Sequence, residues 1–248
     1  AFLSTLLLHN VQVLIGYVEA VNSGSIKPVE DTIFGYYPDT IEKFFRFIYQ
    51  YCVSCSIIIA ESPALPQLCQ LLVACFVACN ESGPLREILK VVQFMFYPSR
   101  TRVDPTVHTK LLTASAVHGQ AIVGHLMTVV SGSGSVAAAL WTNVIDTLHC
   151  VLSGCCMSTQ MIDECKTWLK VALRDIPAFN KIGDARKGSV FEQLFALCNY
   201  NDNGVNDSKL IQKRKDFKEL LLKLCKVCVD QLEADCLDVN TSIHVYEL

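Results

Sequence analysis

Amphipathic helical segments recur in pairs along this chain, at intervals of about 45 to 50 residues. Helices are predicted to begin near Asp39, Ala64, Pro84, Pro105, Ser135, Ser158, Lys187 and Ser208. Taken two by two, they form helix pairs that open near residues 39, 84, 135 and 187, with almost no strand pattern between them. Because periods of this length are typical of HEAT and armadillo-like repeats, the sequence predicts an all-α superhelix, or solenoid.

Stacked helix pairs present long surfaces to other macromolecules and contain no ready-made chemical pocket. The sequence has no nucleophile elbow, phosphate loop, zinc-protease motif or dinucleotide fingerprint. We therefore expect a binding protein without a cofactor. An enzyme is the weakest interpretation, since it requires a convergent acid, base or nucleophile set. A thiol-dependent activity that needs Cys155 or Cys156 would support it.

The composition of the chain limits the classes of partner that it is expected to bind. Hydrophobic residues make up 51% of the chain and charged residues 18%, which fits helices covered on two sides by their neighbours. The net charge of −3 argues against direct nucleic-acid binding, which usually requires a basic surface. The most apolar window, residues 2–18, is interrupted by His9, Asn10 and Gln12, so we expect no membrane span. It also lacks the features of a signal peptide.

The predicted organisation is one array followed by a tail. Residues 1–235 are expected to form four to five helix pairs, and residues 236–248 an acidic tail. The chain starts within a helical pattern and without Met, so we expect it to be the C-terminal part of a longer protein.

Local signals set the predicted helix ends. Asp39 and Glu42 resemble a capping box. Asp104 precedes Pro105 as an N-cap, and one long helix is expected from there to about Val130. Gly154 is expected to end a helix. Further on, the pattern predicts a loop over residues 183–188, a short apolar segment over 190–198 and a last helix from Ser208 to about Glu233.

The 13 cysteines lie mostly at apolar helical positions. Cys52-x-x-Cys55 and Cys225-x-x-Cys228 resemble zinc half-sites, but a zinc site needs two such pairs together, usually in tight turns. Helical periodicity already accounts for both pairs, so we interpret them as reduced core thiols of a nuclear or cytoplasmic protein. His118 and His125 are expected to share one helix face and to make packing or partner contacts rather than to bind a metal.

The basic residues are a more promising candidate site than the cysteines and histidines. One helix of each pair lines the concave face of a solenoid. If the second helices do so, that face carries a set of cations, which the turn after Pro98 extends: Arg100, Arg102, Lys110, Lys166, Lys170, Arg174, Lys209, Lys213 and Arg214. They form either an ordinary solvated face or a surface for an acidic or phosphorylated partner. Asp163, Glu164 and Asp175 give this surface a mixed sign.

Three strings carry a resemblance to a known family. Residues 34–48 read FGYYPDTIEKFFRFI, residues 164–177 read ECKTWLKVALRDIP, and residues 215–220 read KDFKEL. Their order and spacing over about residues 36 to 228 resemble C-terminal repeats of the importin-beta (karyopherin) superfamily. Within it, the strings resemble the transportin-SR and importin-thirteen branch.

The resemblance implies a HEAT superhelix that shuttles between nucleus and cytoplasm and carries cargo proteins past the nucleoporins. It implies Ran GTPase as a partner, mainly through an N-terminal arch outside this chain. It also implies SR-type splicing factors as a cargo class, which the branch recognises through an arginine-rich helix. The sequence contains no such helix, and its acidic stretch from Asp230 onwards departs from the family. The alternative is a HEAT scaffold of another complex, such as a phosphatase or chromatin-associated one.

Overall fold

The computed structural model describes residues 38–79, 81–97, 103–133, 138–198 and 207–229, together with residues 9, 12, 13, 15, 16 and 237. In this part of the chain all regular structure is helical, which confirms the predicted all-α class. The helices are α1 (Pro38–Ala60), α2 (Leu65–Ala78), α3 (Ser82–Phe96), α4 (Pro105–Ala116), α5 (Gly119–Val130), α6 (Trp141–Cys156), α7 (Ile162–Asp175), α8 (Asp184–Cys198) and α9 (Asp207–Cys228), with 3-10 turns at Ala138–Leu140 and Pro177–Lys181.

The chain divides into two compact units. Unit 1 comprises residues 1–122 and 136–143, and unit 2 comprises residues 123–135 and 144–248. The boundary falls within α5 and α6. Of the predicted acidic tail, only Leu237 belongs to the described residues, and it is buried in unit 2.

In unit 1, helices two places apart in the chain pack on each other. α1 packs along α3 and also contacts α4, while α2 packs against α3 and α4; α3 contacts α4 as well. The buried side chains are mainly Phe, Ile, Leu and Val, among them Phe45, Ile48, Leu68 and Ile88. α1 is kinked at Cys55, whose backbone leaves the helical region (φ −145, ψ 49).

In unit 2, α8 packs against α7 and α9, and the 3-10 turn at Pro177–Lys181 contacts α7 and α9. Phe179, Leu194 and Phe217 are completely buried. The Lys181 ammonium donates to the Cys228 carbonyl at 2.9 Å, which ties the 3-10 turn to the end of α9.

Five predicted helix starts agree with the structure within two residues, namely those of α1, α2, α3, α4 and α9. The Asp104 cap is confirmed, since its carboxylate accepts a hydrogen bond from the Thr106 amide at 2.7 Å. Asp39, in contrast, lies in the first turn of α1, and Glu42 pairs with Arg46 one turn further along.

The single helix predicted from Pro105 to about Val130 is wrong. α4 ends at Ala116, and the His118 amide donates to the Ser115 carbonyl at 3.0 Å in a turn before α5 begins at Gly119. Val, His and Gly in succession have low helix propensity, which explains the break. His118 therefore precedes α5 while His125 lies within it, so the two do not share one continuous helix.

Three other boundaries differ from the prediction. The loop expected over residues 183–188 is mostly the start of α8, where the Lys187 amide donates to the Gly183 carbonyl at 3.0 Å. α6 continues through Gly154 to Cys156 because neighbouring helical hydrogen bonds outweigh the modest cost of a single glycine. α7 begins at Ile162, after a turn at Ser158. The expected start near Ser135 and end near Glu233 lie outside the described residues.

Candidate functional site

α7 carries the central cations of the predicted site. Lys166, Lys170 and Arg174 are four residues apart, so they follow one another along one side of the helix. α7 buries Cys165, Trp168, Leu169, Ala172 and Leu173 against the core of unit 2. Lys170 and Arg174 are exposed and Lys166 is half-buried, which places this α7 stripe on the open side of the helix.

Each cation of the α7 stripe already has an intramolecular partner. Lys166 lies 3.6 Å from the Asp163 carboxylate. The Arg174 guanidinium donates to both Asp175 oxygens, at 2.6 and 3.1 Å, and this pairing lowers the pKa of Asp175. The Lys170 ammonium lies 4.9 Å from the centre of the Phe191 ring. Because these contacts are at the surface, their energetic value is small and a partner's carboxylate can replace them.

α9 supplies a second set of cations in unit 2. Arg214 and Lys218 both pair with the Asp146 carboxylate of α6, at 2.9 and 3.1 Å. Asp146 is largely buried, so this pair of contacts fixes α9 to α6 more firmly than an exposed ion pair would. Lys213 is half-buried, and the side chain of Lys209 lies outside the described residues.

A buried histidine adjoins this ion-pair cluster. The His149 ring packs edge-on against the buried Phe217 ring, with 5.0 Å between their centres. Burial, aided by the positive charge of Arg214, lowers the pKa of His149 to about 4, although Asp146 acts in the opposite direction. A pKa this low keeps the imidazole at the junction of α6 and α9 uncharged at neutral pH.

Three other predicted site residues belong to neither set. Lys110 belongs to unit 1, where its ammonium pairs with the Glu61 carboxylate. Arg100 and Arg102 lie outside the described residues. Asp146 and Lys218 were missed by sequence reasoning: Asp146 lies 68 residues from Arg214, and no local spacing indicates that contact.

The thiols show the properties of core residues. Burial raises the pKa of Cys52 and Cys75 to about 12 and that of Cys156 to about 11. A hydrogen bond with the Cys155 thiol, together with burial, raises the pKa of Cys165 as well. Protonated thiols are poor nucleophiles and poor metal ligands. Cys55 is exposed at the kink of α1, and Cys150 and Cys225 are half-buried.

Within the described residues, no group of three or more His, Cys, Asp or Glu side chains is arranged to hold a metal ion. A cavity of about 10 Å³ in unit 1 is lined mostly by apolar side chains, with Cys69, Ser115 and His118 as its polar members. That volume accommodates about one water molecule, which is too little for a substrate.

Comparisons of the chain with protein-family models, with curated proteins and with solved structures find no match. None of the helices in the part of the chain that the structure describes has a stretch long and apolar enough to span a lipid bilayer.

Proposed function

We propose that the chain is the C-terminal cargo-binding arch of an importin-beta-like nuclear transport receptor, built from HEAT repeats. The observation that carries this proposal is the extensive packing of α1 along α3 in unit 1, since these are the first helices of two successive predicted pairs. Alternate helices of successive pairs stack in this way in a solenoid, each pair contacting its neighbours.

The positions of the three resembling strings add support. The Pro-Asp-Thr string opens α1 at Pro38, the string around Trp168 forms α7 and ends at Pro177, and Phe217 of the last string is buried in α9. Each string thus coincides with a helix whose apolar residues lie in a core, as the resemblance requires.

The proposed mechanism is an exchange of ion pairs coupled to solenoid curvature. An acidic or phosphorylated segment of cargo, such as an SR-type splicing factor, would replace Asp163 and Asp175 at Lys166 and Arg174. Small shifts between successive repeats would open or close the arch, so that cargo and RanGTP compete through the conformation of the receptor.

The test is a pull-down from nuclear extract with the full-length parent protein, with and without GTP-locked Ran. We expect bound proteins to be released when Ran is added, and their identity names the cargo. Partners that are indifferent to Ran would overturn the transport proposal and favour a static HEAT scaffold of another complex.

Charge reversal of the α7 stripe gives a residue-level prediction. We expect Lys166→Glu/Lys170→Glu/Arg174→Glu to weaken binding of an acidic cargo at least about tenfold, because each close charge pair contributes on the order of 1 kcal/mol. The unfolding midpoint should change little, since these side chains are at the surface. Binding is measured by titration of the isolated cargo into receptor carrying the variant.

A matched control for that variant is Lys43→Glu/Arg86→Glu, which reverses two exposed cations of unit 1. The control should bind the cargo as the unaltered protein does. Equal losses in both variants would mean that net charge alone is sensed, and an unchanged affinity in the α7 variant would remove the α7 stripe from the cargo site.

A further inference from the structure

α9 presents a second exposed surface whose residues are not among the predicted cargo-site residues, although Lys218 of this surface shares Asp146 with Arg214 of that site. At 100° per residue, six side chains fall within about a quarter of the helix circumference. Three are apolar and three are lysines, and we call them the α9 stripe: Ile211, Lys215, Lys218, Leu222, Lys226 and Val229. The stripe extends over five turns, or about 27 Å.

The apolar members are unusually exposed for their size. Ile211 is 58% exposed, Leu222 46% and Val229 40%. The opposite side of α9 faces the core, since Phe217, Leu221 and Leu224 are buried in unit 2. Single exposed apolar residues are common, but an aligned series on the solvent side of an amphipathic helix is not. α9 therefore has two apolar faces, and the second is largely exposed, although Val229 at its end lies beside Gly132.

The charge of the same helix is strongly positive. α9 contains seven basic and three acidic residues, although the whole chain carries a net charge of −3. Lys215 and Lys226 form no ion pair with any described residue, whereas Lys218 is bound to Asp146. The stripe thus offers unneutralised ammonium groups between aliphatic side chains.

We propose that the α9 stripe binds an acidic amphipathic helix of a partner protein. Such a helix would place aliphatic residues on Ile211, Leu222 and Val229 and carboxylates beside Lys215 and Lys226. The six members of the stripe are three to four residues apart along one side of α9, and its apolar members Leu222 and Val229 are seven apart, a spacing that helix-to-helix recognition uses. The complementary charges would orient the partner and accelerate its association. This surface is separate from the α7 stripe, so the proposal does not rest on the transport function.

The chain's own acidic tail is the competing occupant. The acidic stretch that begins at Asp230 and continues into that tail contains Asp230, Glu233, Asp235 and Asp238, and it has the same charge as the proposed partner. Leu237, the described residue of that tail, is itself only 2% exposed, and the stripe keeps its exposure in the presence of Leu237. The seven basic residues of α9 favour an acidic occupant, and variants of the acidic stretch distinguish an occupant in cis from the proposed partner in trans.

The experiment uses the full chain and a synthetic helical peptide of about 18 residues, which matches the length of the stripe. The peptide has leucines on one face, glutamates flanking them and alanines elsewhere, with a fluorescent label at one end. Fluorescence anisotropy gives Kd at about 50 mM and at about 300 mM salt. The higher salt concentration screens electrostatic attraction much more strongly than the lower one. A peptide with the same composition in scrambled order controls for nonspecific attraction.

Two variants separate the charged and the apolar parts of the stripe. Lys215→Glu/Lys226→Glu should raise Kd at least about tenfold at low salt and less at high salt. Leu222→Ser should raise it about fivefold at both salt concentrations, because its contribution is apolar. The matched control, Lys43→Glu/Val117→Ser, changes an exposed cation and an exposed apolar residue of unit 1 and should leave Kd unchanged.

A third variant tests the tail in cis, with Asp230→Asn, Glu233→Gln, Asp235→Asn and Asp238→Asn combined. If only this variant binds the peptide, the tail occupies the stripe and the proposal of a partner in trans is overturned. Self-association that disappears in Leu222→Ser would equally overturn it, in favour of a second copy of the chain. Binding that survives Lys215→Glu/Lys226→Glu, or that the scrambled peptide reproduces, removes the stripe as a docking surface.

Discussion

Acidification from pH 7.5 to pH 4 should cost unit 2 about 3 kcal/mol through His149 alone. Burial, and then Arg214, lower the pKa of His149 from 6.5 to about 4. In the unfolded chain the imidazole takes up a proton near pH 6.5, while the folded protein holds it neutral. The free energy of unfolding is therefore fully retained above pH 6.5, falls by about 1.4 kcal/mol per pH unit below it, and levels off below pH 4.

The measurement is urea unfolding at a series of pH values for the unaltered protein and for His149→Gln. The difference between their unfolding free energies should shrink by about 3 kcal/mol from pH 7.5 to pH 4. His125, whose pKa burial also lowers, titrates in both proteins and cancels in the difference. A Trp141→Phe background leaves the fluorescence of Trp168, a nearly buried residue of unit 2, as the reporter. A pH-independent difference would show that His149 is not held neutral.

The sequence predicted the helices well where the signal was local. Asp104 before Pro105 predicted the start of α4, because an aspartate cap and a proline in the first turn act within four residues. Prediction failed between Ala116 and Gly119 and at residues 184–188. In both places two opposing local preferences are close in energy, and tertiary packing decides between a turn and a helix.

The candidate site was predictable only where its residues lie on one helix. The spacing of Lys166, Lys170 and Arg174 was enough to place them along one side of α7, and the structure leaves that side open. The contact between Asp146 and Arg214 was not predictable, because it joins two helices 68 residues apart in the sequence. The apolar half of the α9 stripe was missed for a related reason. Ile211, Leu222 and Val229 look like core residues until the structure shows which face of α9 is covered.

Replacing Gly132 with alanine should destabilise unit 2 by about 2 to 3 kcal/mol. Gly132 follows α5 with a positive φ of +75°, a conformation that costs an alanine about 1 to 2 kcal/mol. In addition, a Cβ at this position would lie 2.5 Å from Cγ1 of Val229. Valine has few alternative rotamers, so relief of that overlap requires Val229 to move and adds about 1 kcal/mol.

A double-mutant cycle separates the cost of the positive φ from the cost of the overlap with Val229. Val229→Ala removes the methyl group that the new Cβ would meet, so Gly132→Ala should cost about 1 kcal/mol less in that background, with the backbone strain remaining. Gly188→Ala is the matched control: it lies within α8, has no atom within 4 Å of its new Cβ, and should stabilise the unit by about 0.5 to 1 kcal/mol. Unfolding free energies from urea titration in the Trp141→Phe background decide the outcome. Equal changes in stability for Gly132→Ala and Gly188→Ala would contradict the prediction. They would mean that neither the positive φ of Gly132 nor the overlap with Val229 destabilises the alanine variant.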